Sequence, residues 1–153
     1  MTQRPLRAIF PWLLACSAGI WMTAAGAGAA FSQPRTTNDG VYTKAQAAGA
    51  KKQFDKICAD CHAFTVPAKK KPKDLPLGDE PFFENWAGRP LNELVTLIAL
   101  TMPNDGSATV TEKEAVNLVA YMLQQNGFSP GPKPLTKASA SAVIERPKKS
   151  PKK

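Results

Sequence analysis

The sequence predicts an all-α domain with three main helices. Three apolar stripes with three- and four-residue spacing lie between Thr43 and Phe128, and this stretch shows no strand-like alternation and no internal repeat. Two of the stripes follow a threonine that has Gln or Glu three residues later, a pattern typical of a helix N-terminus. The predicted domain covers residues 43–130 of a 153-residue chain, after a lead-in at residues 30–42.

Residues 1–29 are predicted to be a secretory signal peptide. Two arginines precede the apolar residues 8–21, and small residues then follow as far as Ala30. This order predicts cleavage after Ala29 or Ala30, and the apolar stretch is too short for a stable membrane anchor. The chain is therefore expected in the periplasm. The alternative is a lipid anchor through Cys16, although the apolar stretch before Cys16 is short for that purpose.

The net charge of +8 lies mainly outside the predicted domain. Residues 30–130 carry equal numbers of basic and acidic side chains, whereas residues 131–153 carry seven basic side chains and one acidic. This C-terminal stretch is rich in Lys, Pro, Ala and Ser, a composition that predicts a disordered tail. Because the domain itself is neutral, the charge does not indicate nucleic-acid binding.

The three predicted helices are taken in chain order. The first begins after Thr43, the second begins around Pro90 and stops before Pro103, and the third lies between Thr111 and Gly127. Four prolines between Phe64 and Pro81 predict a long loop after the first helix. A core of this size is marginal without a cofactor. The stripes are Ala47, Ala50, Phe54 and Ile57, then Leu91, Leu94, Val95 and Ile98, then Ala115, Leu118, Val119 and Met122.

The first helix leads directly into a C-x-x-C-H motif formed by Cys58, Cys61 and His62. In such a motif the two thiols bond to a haem, and the adjacent imidazole is held beneath the iron. The competing interpretations are a redox dithiol, a structural disulfide and half of a zinc site. A zinc site lacks further Cys or His ligands, and a thioredoxin-like dithiol belongs to a βαβ pattern that is not predicted. We therefore expect one haem c with its iron.

With this motif, residues 41–130 resemble a class I cytochrome c. That family has an N-terminal helix ending in the haem motif, a mid-chain methionine that closes the sixth iron position, and a C-terminal helix that crosses the first. Phe54, and Tyr121 with Leu118, match the contacts at that crossing, and Ala50 stands where the family usually has glycine. The resemblance implies a class I cytochrome c-like fold, with three main helices around one covalently attached haem c.

Met102 is the predicted second axial ligand, opposite His62. It precedes Pro103, which disfavours helical geometry at Met102, and the Met-Pro pair resembles the family signature. Met122 is the other methionine after the signal, but it lies in the apolar stripe of the third helix, where methionine is usually part of the core.

The resemblance implies three further haem contacts. The segment that contains Pro76 resembles the one whose carbonyl accepts a hydrogen bond from the ligand histidine, here His62. Trp86 and Arg89 stand where the family often has groups that face the haem propionates. The alternative is that Trp86 belongs to the core and that Arg89 is solvated.

Two closed axial positions predict electron transfer rather than catalysis. The resemblance implies a periplasmic carrier that relays single electrons between a dehydrogenase, oxidase or membrane respiratory complex and an acceptor. Residues 82–103 look like cytochromes found beside periplasmic dehydrogenases, so a haem subunit of such a complex is one alternative. A haem enzyme or gas sensor with a displaceable sixth ligand is another. The lysines of residues 69–73 form either a docking patch for an acidic redox partner or a solvated loop.

Overall fold

The computed structural model of the chain describes residues 34–64 and 75–148, which form four α-helices around one hydrophobic core. The helices are α1 (Lys44–Ile57), α2 (Asp79–Trp86), α3 (Leu91–Thr101) and α4 (Glu112–Gln125). Two-residue strands β1 (His62–Ala63) and β2 (Leu75–Pro76) pair in parallel, and 3-10 turns lie at Thr37–Asp39 and Lys137–Ser139. The predicted all-α class is confirmed. The predicted signal peptide, Cys16 and the lysines of residues 69–73 lie outside the described residues.

The predicted caps of α1 and α4 are present. The Thr43 hydroxyl accepts the N–H of Gln46, and the Thr111 hydroxyl accepts the N–H of Glu114 at 3.3 Å. The Glu114 carboxylate in turn accepts the Thr111 N–H at 2.8 Å, which completes a capping box. Helix α4 then ends just before Gly127, which has a left-handed φ of 81°. Local sequence signals therefore fix where the two longest helices begin, and where α4 ends.

Helices α1 and α4 form the most extensive helix contact of the described residues, and α3 also packs against α4. The rings of Phe54 and Tyr121 lie 5.3 Å apart between α1 and α4. Leu118 of α4 and Ala50 of α1 are both buried, so an alanine takes the place of the family's usual glycine within the core. No helix within residues 34–64 and 75–148 has the length and apolar character needed to cross a membrane.

Helix α2 was not predicted, and the predicted loop is wrong at its C-terminal end. Pro81 is the third residue of α2. The first N–H groups of a helix have no acceptor within it, so proline is tolerated in this turn. The helix forms because Phe82 and Phe83 are buried beneath it, with their rings edge to face at 5.3 Å.

The predicted disorder of residues 131–153 is wrong for residues 131–148, which we call the C-terminal strap. The backbone carbonyls of Ala140 and Ala142 accept the first two N–H groups of α3, from Asn92 at 2.7 Å and Leu91 at 2.9 Å. The residue before α3 is Pro90, whose side chain makes no cap. Composition favours disorder, but a few apolar residues of the strap are at most 2% exposed: Leu135, Ala140, Ala142 and Ile144.

The strap also holds the N-terminal lead-in. The Gly131 N–H donates to the Tyr42 carbonyl at 2.7 Å, and a side chain on Gly131 would lie 1.9 Å from the Gly40 oxygen. Farther along, the Val143 N–H donates to the Arg35 carbonyl at 2.9 Å. The two ends of the described chain are thus bonded to each other, and neither behaves as a separate tail.

Candidate haem-binding site

Helix α1 delivers the C-x-x-C-H motif as a tight turn. Cys58 is the C-cap of α1, and its N–H donates to the Phe54 carbonyl at 2.9 Å. The Cys58 carbonyl accepts the N–H groups of Cys61 at 3.1 Å and His62 at 2.9 Å. The two thiols and the imidazole are therefore held on a single turn that is continuous with a rigid helix.

The two cysteines are free thiols that differ in exposure. Cys58 is half-buried and packs against the core, whereas Cys61 is exposed and His62 is half-buried. Burial raises the pKa of the Cys58 thiol to about 11, so this group is protonated at neutral pH. The motif therefore lies at the boundary between the core and solvent.

Strand β2 lies beside the end of the C-x-x-C-H motif, because it pairs with β1, the strand that contains His62. His62 pairs in register with Leu75 and Ala63 with Pro76, and the Leu77 N–H donates to the Ala63 carbonyl at 2.7 Å. The segment predicted to accept a hydrogen bond from His62 thus lies beside the strand that contains His62. The role of the Pro76 carbonyl stays a prediction.

The approach of the two segments is too close for a side chain just beyond β2. A Cβ on Gly78 would lie 1.9 Å from the Phe64 carbonyl oxygen. Glycine is therefore required where α2 begins, because the chain that leaves the motif occupies the adjacent space.

Three aromatic rings from residues on both sides of the motif and from α4 pack together. The ring of Phe64 lies 4.9 Å from that of Phe54 and 5.5 Å from that of Tyr121. Phe54 precedes the motif and Phe64 follows it, so the cluster fixes both of its ends against α4. The sequence gives no periodic signal for Phe64, since the residue lies outside the helices, and its contribution was not predicted.

Met102 terminates α3 in an extended conformation, with φ −112° and ψ 142°. Its N–H still donates to the Ile98 carbonyl at 3.1 Å, and its peptide bond to Pro103 is cis. The expected departure from helical geometry is confirmed. The Met102 side chain is half-buried against the same core cluster as Cys58, while Met122 is 3% exposed within that cluster.

Residues 45–122 match the family model described as cytochrome c oxidase, cbb3-type, subunit III. The chain belongs to this family. It therefore contains a cytochrome c domain, which confirms the expected family and the all-α cytochrome c-like fold. Membership implies a covalently bound haem c and haem-based electron transfer, by an electron carrier or an oxidase subunit. No curated protein and no solved structure matches the chain.

The donor set of this cytochrome c domain fits a haem c. Free thiols at Cys58 and Cys61 have the spacing used for thioether attachment, and the next residue is His62. The thioether of Met102 packs on the same core, and histidine with methionine is a usual axial pair in cytochromes c. Two of the predicted donor residues, Cys58 and Met102, therefore pack against the same apolar core.

The two residues predicted to face the propionates are paired with each other. The Arg89 guanidinium carbon lies 4.5 Å from the centre of the Trp86 ring, and Trp86 is half-buried against the core. Arg89 is 49% exposed, and its Nε donates to Glu93 at 2.7 Å. This geometry matches the alternative of a core tryptophan and a solvated arginine, and the propionate contact stays a prediction.

Proposed function

We propose that this cytochrome c domain carries one haem c, attached through Cys58 and Cys61, with His62 and Met102 as the axial ligands of the iron. The haem supplies the one-electron chemistry, and the protein supplies attachment, ligands and an apolar environment. The observation that carries the proposal is the turn that places all three motif residues at the end of α1.

The proposed role is to relay single electrons in the periplasm, without catalysis by this chain. Two protein ligands leave the iron no open position for a substrate, which favours a carrier. The proposed partners are a dehydrogenase or a membrane respiratory complex on one side and an acceptor on the other. The family description supports a respiratory complex, and the predicted signal peptide supports the compartment.

The second candidate function is that of a permanent subunit of an oxidase or dehydrogenase complex. The family description favours the oxidase. Purification of the tagged chain from its own cell envelope under mild conditions distinguishes the two roles. Stoichiometric recovery of other oxidoreductase subunits indicates a permanent subunit. Recovery of the haem protein alone indicates a diffusible carrier.

The choice of Met102 is tested by its replacement with alanine. Met102→Ala removes the thioether, so the weak sulfur-to-iron absorption band of the oxidised protein should disappear. The matched control is Met122→Leu, which conserves volume at a buried position and should keep the band. A band that survives in Met102→Ala would contradict the assignment, and its loss in Met122→Leu would identify Met122 as the ligand instead.

Carbon monoxide separates an electron carrier from a haem enzyme or gas sensor. The reduced wild-type protein should not bind carbon monoxide, because both axial positions are closed. Met102→Ala should bind it, because the sixth position opens. Ready binding by the wild type would favour the sensor or enzyme instead.

A further inference from the structure

Asn126 is a buried polar residue that lies outside the proposed ligand set. It is the C-cap of α4 and is 9% exposed. Its side-chain Nδ2 donates to the carbonyls of Leu77 and Met122, each at 2.9 Å. Its Oδ1 is buried and accepts no hydrogen bond in the described structure.

These contacts fix the orientation of the Asn126 amide and show which of its atoms makes hydrogen bonds. Both neighbours of Nδ2 are carbonyl oxygens, so a flipped amide would place oxygen against oxygen. A buried amide oxygen without a donor destabilises the fold, and an apolar side chain would avoid that cost. The amide of Asn126 therefore contributes through the two hydrogen bonds that it donates.

One of those bonds anchors the segment beside His62. Leu77 is held on two sides, because its carbonyl accepts from Asn126 and its N–H donates to Ala63 at 2.7 Å. Leu77 directly follows β2, which pairs with the strand of His62. A pair of two-residue strands has little stability alone, so its position depends on such anchors.

We propose that Asn126 is a positioning residue for His62. It holds residues 75–77 against β1 and thereby fixes the backbone acceptor for the imidazole N–H. This inference rests on the proposed function, in which His62 binds the haem iron. A hydrogen bond from a ligand imidazole raises the basicity of the ligand, which stabilises the oxidised iron. Loss of the anchor should therefore shift the equilibrium towards the reduced protein.

The test compares Asn126→Leu with Asn117→Leu in the purified haem-loaded protein. Asn117 also lies on α4 and accepts one side-chain hydrogen bond, from Gln46 at 2.9 Å. Within the described residues this bond joins α4 to α1, whereas the bond from Asn126 joins α4 to Leu77. Substitutions of direct outer-shell partners typically change metal affinity or activity by about 10- to 100-fold. Asn126 acts through residues 75–77, so redox titration of Asn126→Leu should show an increase in the equilibrium constant for reduction of up to about tenfold, the lower end of that range. Asn117→Leu should lower stability without this change.

Hydrogen exchange supplies a second measurement. The Leu77 amide should exchange faster in Asn126→Leu than in Asn117→Leu, because only the former loses the anchor of that residue. Asn126→Ala replaces Asn126→Leu if leucine prevents folding, and the same shifts are expected from it.

Two results would overturn the positioning role. One is an unchanged reduction equilibrium in both substitutions of Asn126, and the other is an equal shift in Asn117→Leu. In either case a covalently attached, low-spin haem in the wild type would leave the proposed function intact. A wild-type protein without attached haem would instead overturn the proposed function itself.

Discussion

Replacing Ile144 with alanine should destabilise the domain, although this residue lies near the C-terminal end of a segment of low-complexity composition. Ile144 is 0% exposed. Its N–H donates to the Arg89 carbonyl at 2.8 Å, and its carbonyl accepts the Gly88 N–H at 2.8 Å, so the backbone holds the side chain in the core. Truncation of a fully buried isoleucine to alanine costs about 2–5 kcal/mol, and Ile144→Val should cost about 0.5–1.5 kcal/mol.

The measurement is urea unfolding of the haem-loaded protein followed by far-ultraviolet circular dichroism. The control is Ser141→Ala, an exposed position in the same strap, which should stay within about 0.5 kcal/mol of the wild type. The expected order of stability is wild type and Ser141→Ala, then Ile144→Val, then Ile144→Ala. A free energy of unfolding for Ile144→Ala that equals the control would show that the strap is not packed.

Three further predictions concern the cap, the core and the motif. The Tyr42 hydroxyl donates to the buried Phe128 carbonyl at 2.6 Å. Tyr42→Phe removes this donor and should lower the free energy of unfolding in urea by about 1–3 kcal/mol. An unchanged urea midpoint would contradict this prediction. Thr111→Ala removes the hydroxyl from the capping box, leaving the backbone N–H bond to Glu114, and should cost about 1 kcal/mol at neutral pH. The hydrogen bonds from Thr111 lower the pKa of the Glu114 carboxyl. The stability that they add to the wild type is therefore lost as the pH falls through that lowered pKa. The difference in unfolding free energy between Thr111→Ala and the wild type should accordingly shrink in acid. Cys61→Ser leaves Cys58 as the one thiol of the motif. In the haem-free form of this variant, the rate of alkylation of Cys58 should rise about tenfold per pH unit from pH 8 towards its pKa of about 11. A rate that reaches a plateau near pH 9 would contradict the burial of this thiol.

The main helices could be predicted because their signals are local. The stripe of α1, the break at Met102 and the Thr111 cap each depend on residues a few positions apart. The same is true of the haem motif, whose residue types and spacing carry its chemistry. These elements required no knowledge of the tertiary structure.

Other features could not be predicted because they depend on residues far apart in the chain. The strap carbonyls that cap α3 belong to residues about fifty positions later in the chain. They are backbone groups, so the amino-acid composition of the strap does not reveal this contact. Helix α2 was not predicted because a proline usually interrupts a helix, and the sequence does not show that Pro81 lies in the first turn, where proline is tolerated. Asn126 follows the last helix as an ordinary capping residue would, and only the fold brings it to Leu77.

Haem attachment at Cys58 and Cys61 is tested most directly by the intact mass of the exported protein after denaturation. The predicted result is a chain without residues 1–29 or 1–30 that retains the mass of one haem, together with a low-spin visible spectrum before denaturation. A haem-free chain in which the two cysteines are joined by a disulfide would contradict it.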